Sequence, residues 1–106
     1  MASGILGQAA LSATTDTTVY TVPASTLAIV NVNVVNRSSS SAASVRIALA
    51  SSGTPVNSEY IEYDASVPSN GVLERTGIAI NAGERVVVYA STANCSVNVY
   101  GLEQAV

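Results

Sequence analysis

The sequence predicts an all-β protein: a single antiparallel β-sandwich or jelly-roll-like domain of about seven or eight short strands, preceded by an extended N-terminal arm. Three observations predict it. Residues 27–36, Leu-Ala-Ile-Val-Asn-Val-Asn-Val-Val-Asn, set Val30, Val32 and Val34 on one face of an extended chain and Asn31 and Asn33 on the other, the two-residue period of a strand with one buried face. Turn signals recur every ten residues or so, a spacing typical of sandwiches and barrels rather than of parallel sheets. No segment carries a helical period, and valine and asparagine are both poor helix formers.

The elements come in order along the chain. Residues 1–15 read as an arm, rich in Ala, Ser, Gly and Thr, whose apolar members Ile5, Leu6 and Leu11 hold no sustained period. Two readings stay open: a flexible tail, or an extended segment that docks on a neighbouring subunit. Ile5, Leu6 and Leu11 favour docking, because they are poor choices for a free tail. Residues 16–106 then form the sandwich. Residues 18–22, Thr-Val-Tyr-Thr-Val, are β-branched or aromatic throughout and end at Pro23, which cannot donate to a sheet ladder. Residues 27–36 make the central strand, and the serine-rich residues 38–44 are a spacer loop. Residues 45–50 put Val45, Ile47 and Leu49 on one face and Arg46 on the other.

A turn cluster at 51–55 leads to residues 58–65, which hold three of the seven acids. Strict alternation there places Tyr60, Glu62 and Asp64 on one face and Glu59, Ile61 and Tyr63 on the other. Pro68-Ser69-Asn70-Gly71 is a turn in which Asn-Gly accepts positive φ. Residues 72–80 form a strand kinked at Gly77. Residues 85–90, Arg-Val-Val-Val-Tyr-Ala, are apolar enough to be covered on both faces. Residues 96–102 make the last strand, with Val97 and Val99 inward and 103–106 as a tail.

Composition narrows the function. With 106 residues the chain is one domain, able to bury roughly two-thirds of its unfolded surface. The apolar share rests on Val, Ala, Ile and Leu, with no Trp, no Phe and five Tyr. Such a core is thin and profits from surface buried against a partner. Only 10% of residues are charged, and the net charge of −3 includes no Lys and no His. Nucleic-acid binding needs a basic footprint and is not expected. Sparse charge gives weak repulsion between copies, which suits a subunit of a homo-oligomeric assembly. The apolar runs are too short to span a bilayer as helices, and the first residues lack the basic and apolar regions of a secretory leader. The Asn36-Arg37-Ser38 and Asn94-Cys95-Ser96 acceptor patterns are therefore read as chance.

No catalytic or cofactor set stands out. Cys95 is the only cysteine, so no internal disulfide can form, and a nucleophilic role would want a histidine that the chain lacks. No Ser-His-Asp triad, phosphate loop or dinucleotide fingerprint is present. Glu59, Glu62 and Asp64 form the one acidic cluster. Glu62 and Asp64 have the spacing to converge on a hard cation, but the glycine that would turn loop ligands inward is missing. A paired-carboxylate glycosidase would lack a large aromatic residue to stack a sugar. The cluster reads instead as a polar strand face, solvated or in contact with other subunits, with Arg37, Arg46, Arg75 or Arg85 as partners. Tyr60, Tyr63 and Tyr100, if exposed on one face, would serve as interface anchors, since tyrosine buries area at low entropic cost. The expected interface set is thus Ile5, Leu6, Leu11, Glu59, Tyr60, Glu62, Tyr63 and Asp64, with no metal and no cofactor.

Several stretches resemble a family of small structural proteins of tailed bacteriophages, especially those of cyanobacteria. They are Gly4 with Leu6-Gly7-Gln8; Thr17-Thr18-Val19-Tyr20-Thr21-Val22-Pro23-Ala24; Val32-Asn33-Val34-Val35-Asn36-Arg37; Glu59-Tyr60-Ile61-Glu62-Tyr63-Asp64; Leu73-Glu74-Arg75-Thr76-Gly77; and Val88-Tyr89-Ala90-Ser91-Thr92-Ala93-Asn94. The resemblance runs through nearly the whole chain. It implies a non-enzymatic virion component, made in the host cytoplasm and partnered by the major capsid protein or other virion subunits. The first expectation is a capsid decoration or cement protein that binds the assembled shell. A tail, neck or fibre-associated module is the alternative, contacting a host receptor through residues 38–44 or 51–55. A carbohydrate-binding sandwich is a further one.

Overall fold

The computed structural model describes residues 2–106, which form eight strands and one turn of 3₁₀-helix. The strands are β1 (Ser3–Ala10), β2 (Thr17–Thr21), β3 (Thr26–Asn36), β4 (Ala43–Ala50), β5 (Tyr60–Val67), β6 (Val72–Ile80), β7 (Arg85–Ala90) and β8 (Cys95–Ala105), with the 3₁₀ turn Asn57–Glu59 before β5. They build two four-stranded sheets of order β1-β8-β3-β6 (sheet A) and β2-β7-β4-β5 (sheet B). Within them β1 pairs with β8, β2 with β7, β3 with β6 and β4 with β5, all antiparallel. The chain is therefore one long hairpin with its tip between β4 and β5. Winding that hairpin on itself brings β3 beside β8 and β4 beside β7. This is the jelly-roll arrangement, two interlocked Greek keys in two packed sheets. The all-β, antiparallel sandwich expected from the alternation is the fold observed.

The core lies between the sheets and is built from valine. Val30, Val32 and Val34 of β3 and Val97 and Val99 of β8 face Val45 and Ile47 of β4 and Val86 and Val88 of β7, all fully or almost fully buried. β-branched side chains pay little rotamer entropy in strands and pack densely there. The buried Cys95 completes the end of this layer, and burial raises its thiol pKa above the ordinary value. Asn36 is the one fully buried polar side chain among the described residues. Its Nδ2 donates to the carbonyls of Ser41, Val67 and Pro68 at 2.8, 3.1 and 3.3 Å, and its Oδ1 accepts from the Ser38 N–H at 3.0 Å. One amide thereby fastens the loop after β3 to the end of β5, satisfying groups that would be costly to bury unpaired.

Three expectations need correction. Residues 1–15 are not an arm: Ser3–Ala10 is the edge strand of sheet A, paired with β8 from Ser3↔Leu102 to Ala10↔Ser96. The sandwich thus begins well before residue 16, and Met1 lies outside the described residues. Leu11 is 2% exposed in the core, with its N–H on the Cys95 carbonyl at 2.9 Å, so it is a core residue and no interface residue of the folded chain. A bulge at Leu6 hid the strand. It sets Leu6 and Gly7 both toward the core, which breaks the alternation;. Gly7 hid it further. A Cβ there would sit 2.2 Å from the Val19 carbonyl oxygen of β2, so the residue is glycine where β1 passes close to the β2 backbone. Finally, residues 103–105 continue β8 and are not a tail.

The second irregular strand is β5. Its register against β4 shifts twice, Ala48 facing Tyr60, Ile47 facing Glu62 and Val45 facing Ala65. Asp64 takes φ +52. Each extra residue reverses the side-chain direction along the remainder of the strand. The kink expected at Gly77 is present as a register shift between β3 and β6 with Gly77 at φ +68.

Candidate functional site

The expected interface residues of β5 lie on the outer face of sheet B and along its edge, but not in the pattern that strict alternation gave. Tyr60 and Tyr63 were placed on opposite faces. The bulges bring them together, ring centroids 4.9 Å apart and edge to face. Tyr60 also covers Ala48, Ala50 and Val87, a small apolar cluster buried on the outer side of the sheet. That explains why β7 is apolar on both faces, as its sequence implied. Arg46 lies beside the pair, its guanidinium carbon 4.3 Å from the Tyr63 ring centre and 4.4 Å from that of Tyr89. Its Nε reaches the Asp64 carboxylate at 2.6 Å. Clamped between two rings and a carboxylate, Arg46 uses planar geometry that lysine would not reproduce. A shallow depression of about 390 Å³ is lined by Asn57, Tyr60 and Tyr63.

Glu62 and Asp64 do not share a site. Glu62 reaches across the open side of the sandwich to Arg75 of β6, Oε2 to Nη1 2.7 Å, while Asp64 stays on the outer face with Arg46. Two of the four arginines named as partners therefore neutralise two of the three acids, and the carboxylates do not converge on a cation. Among the described residues no group of three His, Cys, Asp or Glu side chains gathers. Glu59 is used internally: its carboxylate accepts from the N–H of Val56 at 2.9 Å and from the N–H and Oγ of Ser51 at 3.1 and 3.2 Å. These bonds, led by the one from Val56, hold its pKa below the ordinary carboxylate value;. It staples the 51–56 loop.

The outer face of sheet A is different, and sequence reading pointed only to its Ile5 and Tyr100. Across it runs a polar row, Gln8–Asn98–Asn33–Glu74, set by the register of four strands. Gln8 Nε2 donates to Asn98 Oδ1 at 2.7 Å, and the Tyr100 hydroxyl donates to Glu74 at 2.8 Å. Beyond the row of Ile5, Tyr100 and Asn31 lies an apolar row. Leu102 of β8 faces Ile29 of β3, which faces Ala79 of β6, and Ile5 of β1 is diagonal to Leu102. Ile5, Leu102 and Ile29 are 61%, 47% and 39% exposed. The signal for this row was in the sequence, since Ile29 stands on the asparagine face of the central strand. Its partners became visible only with strand order.

A second cross-sheet contact joins the faces. The Tyr20 hydroxyl of β2 donates to Glu103 of β8, whose other oxygen accepts from the Ala2 N–H at 3.2 Å. Burial, then this hydrogen bond, push the Tyr20 phenol far above its usual range, and the same bond draws Glu103 down. No helix of the described residues is long and apolar enough to cross a membrane. Comparison with protein-family models, with curated proteins and with solved structures gives no match.

Proposed function

We propose that this chain is a non-enzymatic structural protein of a phage virion, a decoration or cement protein that lays the outer face of sheet A on the assembled capsid shell. The observation that carries the reading is the exposed row Leu102, Ile29 and Ala79, with Ile5 diagonal to it, on one face of a jelly roll that also presents polar hydrogen-bonding groups. Neighbouring exposed apolar side chains rimmed by polar ones fit a protein contact. The jelly roll is a recurrent capsid fold, which supports the reading by analogy only. The stretches that resemble small phage structural proteins support it from the sequence side. A subunit bound only to the assembled shell stabilises that shell by mass action.

The test is the number of copies per particle, by quantitative mass spectrometry of purified virions. Hundreds, in simple ratio to the major capsid protein, are expected. A handful would move the protein to the tail, neck or fibre, and absence would overturn the reading. A carbohydrate-binding role is the second reading, favoured by the Asn57, Tyr60 and Tyr63 depression, with Tyr63 57% exposed. Calorimetry against host glycans decides it. Heat that Tyr63→Ala abolishes would support sugar binding, and no heat would end it.

A further inference from the structure

We infer that β1 is an exchangeable strand: the groove beside β8 accepts residues 3–11 of a second copy of this chain, so that copies join by trading their first strands. Strand exchange goes beyond the virion reading and stands without it. β1 is the edge of sheet A and pairs with β8 alone. Its inward anchors are few, Leu11 buried and Leu6 and Ala9 partly so. The connector from β1 to β2, residues 12–16, is exposed throughout. It carries the chain from one sheet to the other and buries nothing of its own.

That connector is strained. Thr14 takes φ +53, a left-handed conformation that a β-branched residue strongly disfavours. It is held there by its N–H on the Ala90 carbonyl at 2.8 Å, with the hydroxyls of Thr14 and Thr15 both on the Ala13 carbonyl. A strand exchanged between copies remakes every β1–β8 contact in the partner. What changes is the hinge, which extends and releases Thr14. A short hinge under strain is the known invitation to domain swapping. The exchange leaves no β8 unpaired, since each β8 receives a β1 from the other copy. The occupant is a second copy because the groove is already shaped to residues 3–11: Gly7 meets the Val19 carbonyl with no room for a side chain, and Gln8 bonds Asn98.

The test uses the full chain. Gln8 and Asn98 face each other across the β1–β8 ladder, so Gln8→Cys with Asn98→Cys, in a Cys95→Ser background, reports which chain supplies β1. The protein is refolded at high concentration, oligomers are separated by size with mass measured by light scattering, and each fraction is oxidised. The oligomer is expected to become covalently linked between chains and the monomer to link within itself. Thr14→Gly accepts positive φ without strain and should lower the oligomer association constant by roughly tenfold per hinge, whereas Thr14→Pro, which cannot adopt that φ, should raise it. Oligomers that link only within each chain would overturn the proposal, as would a chain that stays monomeric at every concentration with either residue at 14. Should Thr14→Pro fail to fold, Thr14→Gly and the cross-link decide.

Discussion

The two outer faces of this sandwich solve the same problem in opposite ways. Each sheet must present a face away from the core, and a chain with only 10% charged residues has little to cover it with. Sheet B closes on itself: Tyr60 caps Ala48, Ala50 and Val87, and Arg46 is held by Tyr63, Tyr89 and Asp64. Sheet A leaves Ile5, Leu102 and Ile29 open. The difference teaches where a partner would add burial. A surface that has satisfied itself gains little from a contact, and one that has not gains more.

The sharpest way to break this comparison is to charge the open face. Ile29→Asp with Leu102→Asp is expected to abolish association with the shell, each anchor being worth about 2 kcal/mol of binding. Binding to purified empty capsids, followed by sedimentation, checks it, and undiminished association would move the contact elsewhere. Next comes a matched pair of truncations read by urea denaturation. Val87→Ala opens a cavity beneath Tyr60 and should cost about 2 kcal/mol of stability. Ile29→Ala removes a half-exposed side chain and should cost less than about 1 kcal/mol. Equal losses would mean that the faces do not differ as described.

Smaller again is Arg46→Lys, which keeps the charge and loses the planar stack. It should lower the thermal midpoint, and Arg46→Ala should lower it no more than slightly further. A lysine variant of unchanged stability would reduce the clamp to simple ion pairing. The weakest effect is that of pH. Glu59 and Glu103 have folded pKa values below 4.5, so their contribution is present above about pH 4.5 and is lost as pH falls through those lowered values;. Tyr20, Tyr60 and Tyr100 are raised above 10.0, so their contribution is present below about pH 10 and is lost as pH rises beyond it. Stability should therefore form a plateau between these limits. Glu103→Gln should flatten its acid side, and a stability maximum outside the plateau would contradict the assignment.

What the sequence revealed divides along the same line. The regular strands were legible because a buried face imposes strict alternation, as in Val30, Val32 and Val34, or a continuous apolar run, as in Val86 to Val88. The sheet B site was half legible. Its residues Tyr60, Tyr63 and Asp64, with Arg46 as a partner, stood out by type, yet two inserted residues in β5 rearranged which of them meet. Bulges leave no mark in composition, because any residue can be the extra one and Asp64 tolerates positive φ. β1 was missed for a related reason, its pattern broken at Leu6 and thinned by Gly4 and Gly7. Strand order was beyond reach. Leu102, Ile29 and Ala79 are far apart in the chain, and nothing local says that they share a row.

The long wound hairpin has a consequence for the order in which the molecule is made. Its pairings nest, from β4 with β5 at the tip to β1 with β8 at the mouth, so each outer pair encloses a longer loop than the one inside it. Closure entropy grows with loop length, and topologies rich in distant pairings fold slowly. The tip is the natural place for the first native contacts and the mouth for the last. β1 then arrives at a sandwich whose other seven strands are already in place, and in native-state hydrogen exchange its amides should be the first of the sheet to open.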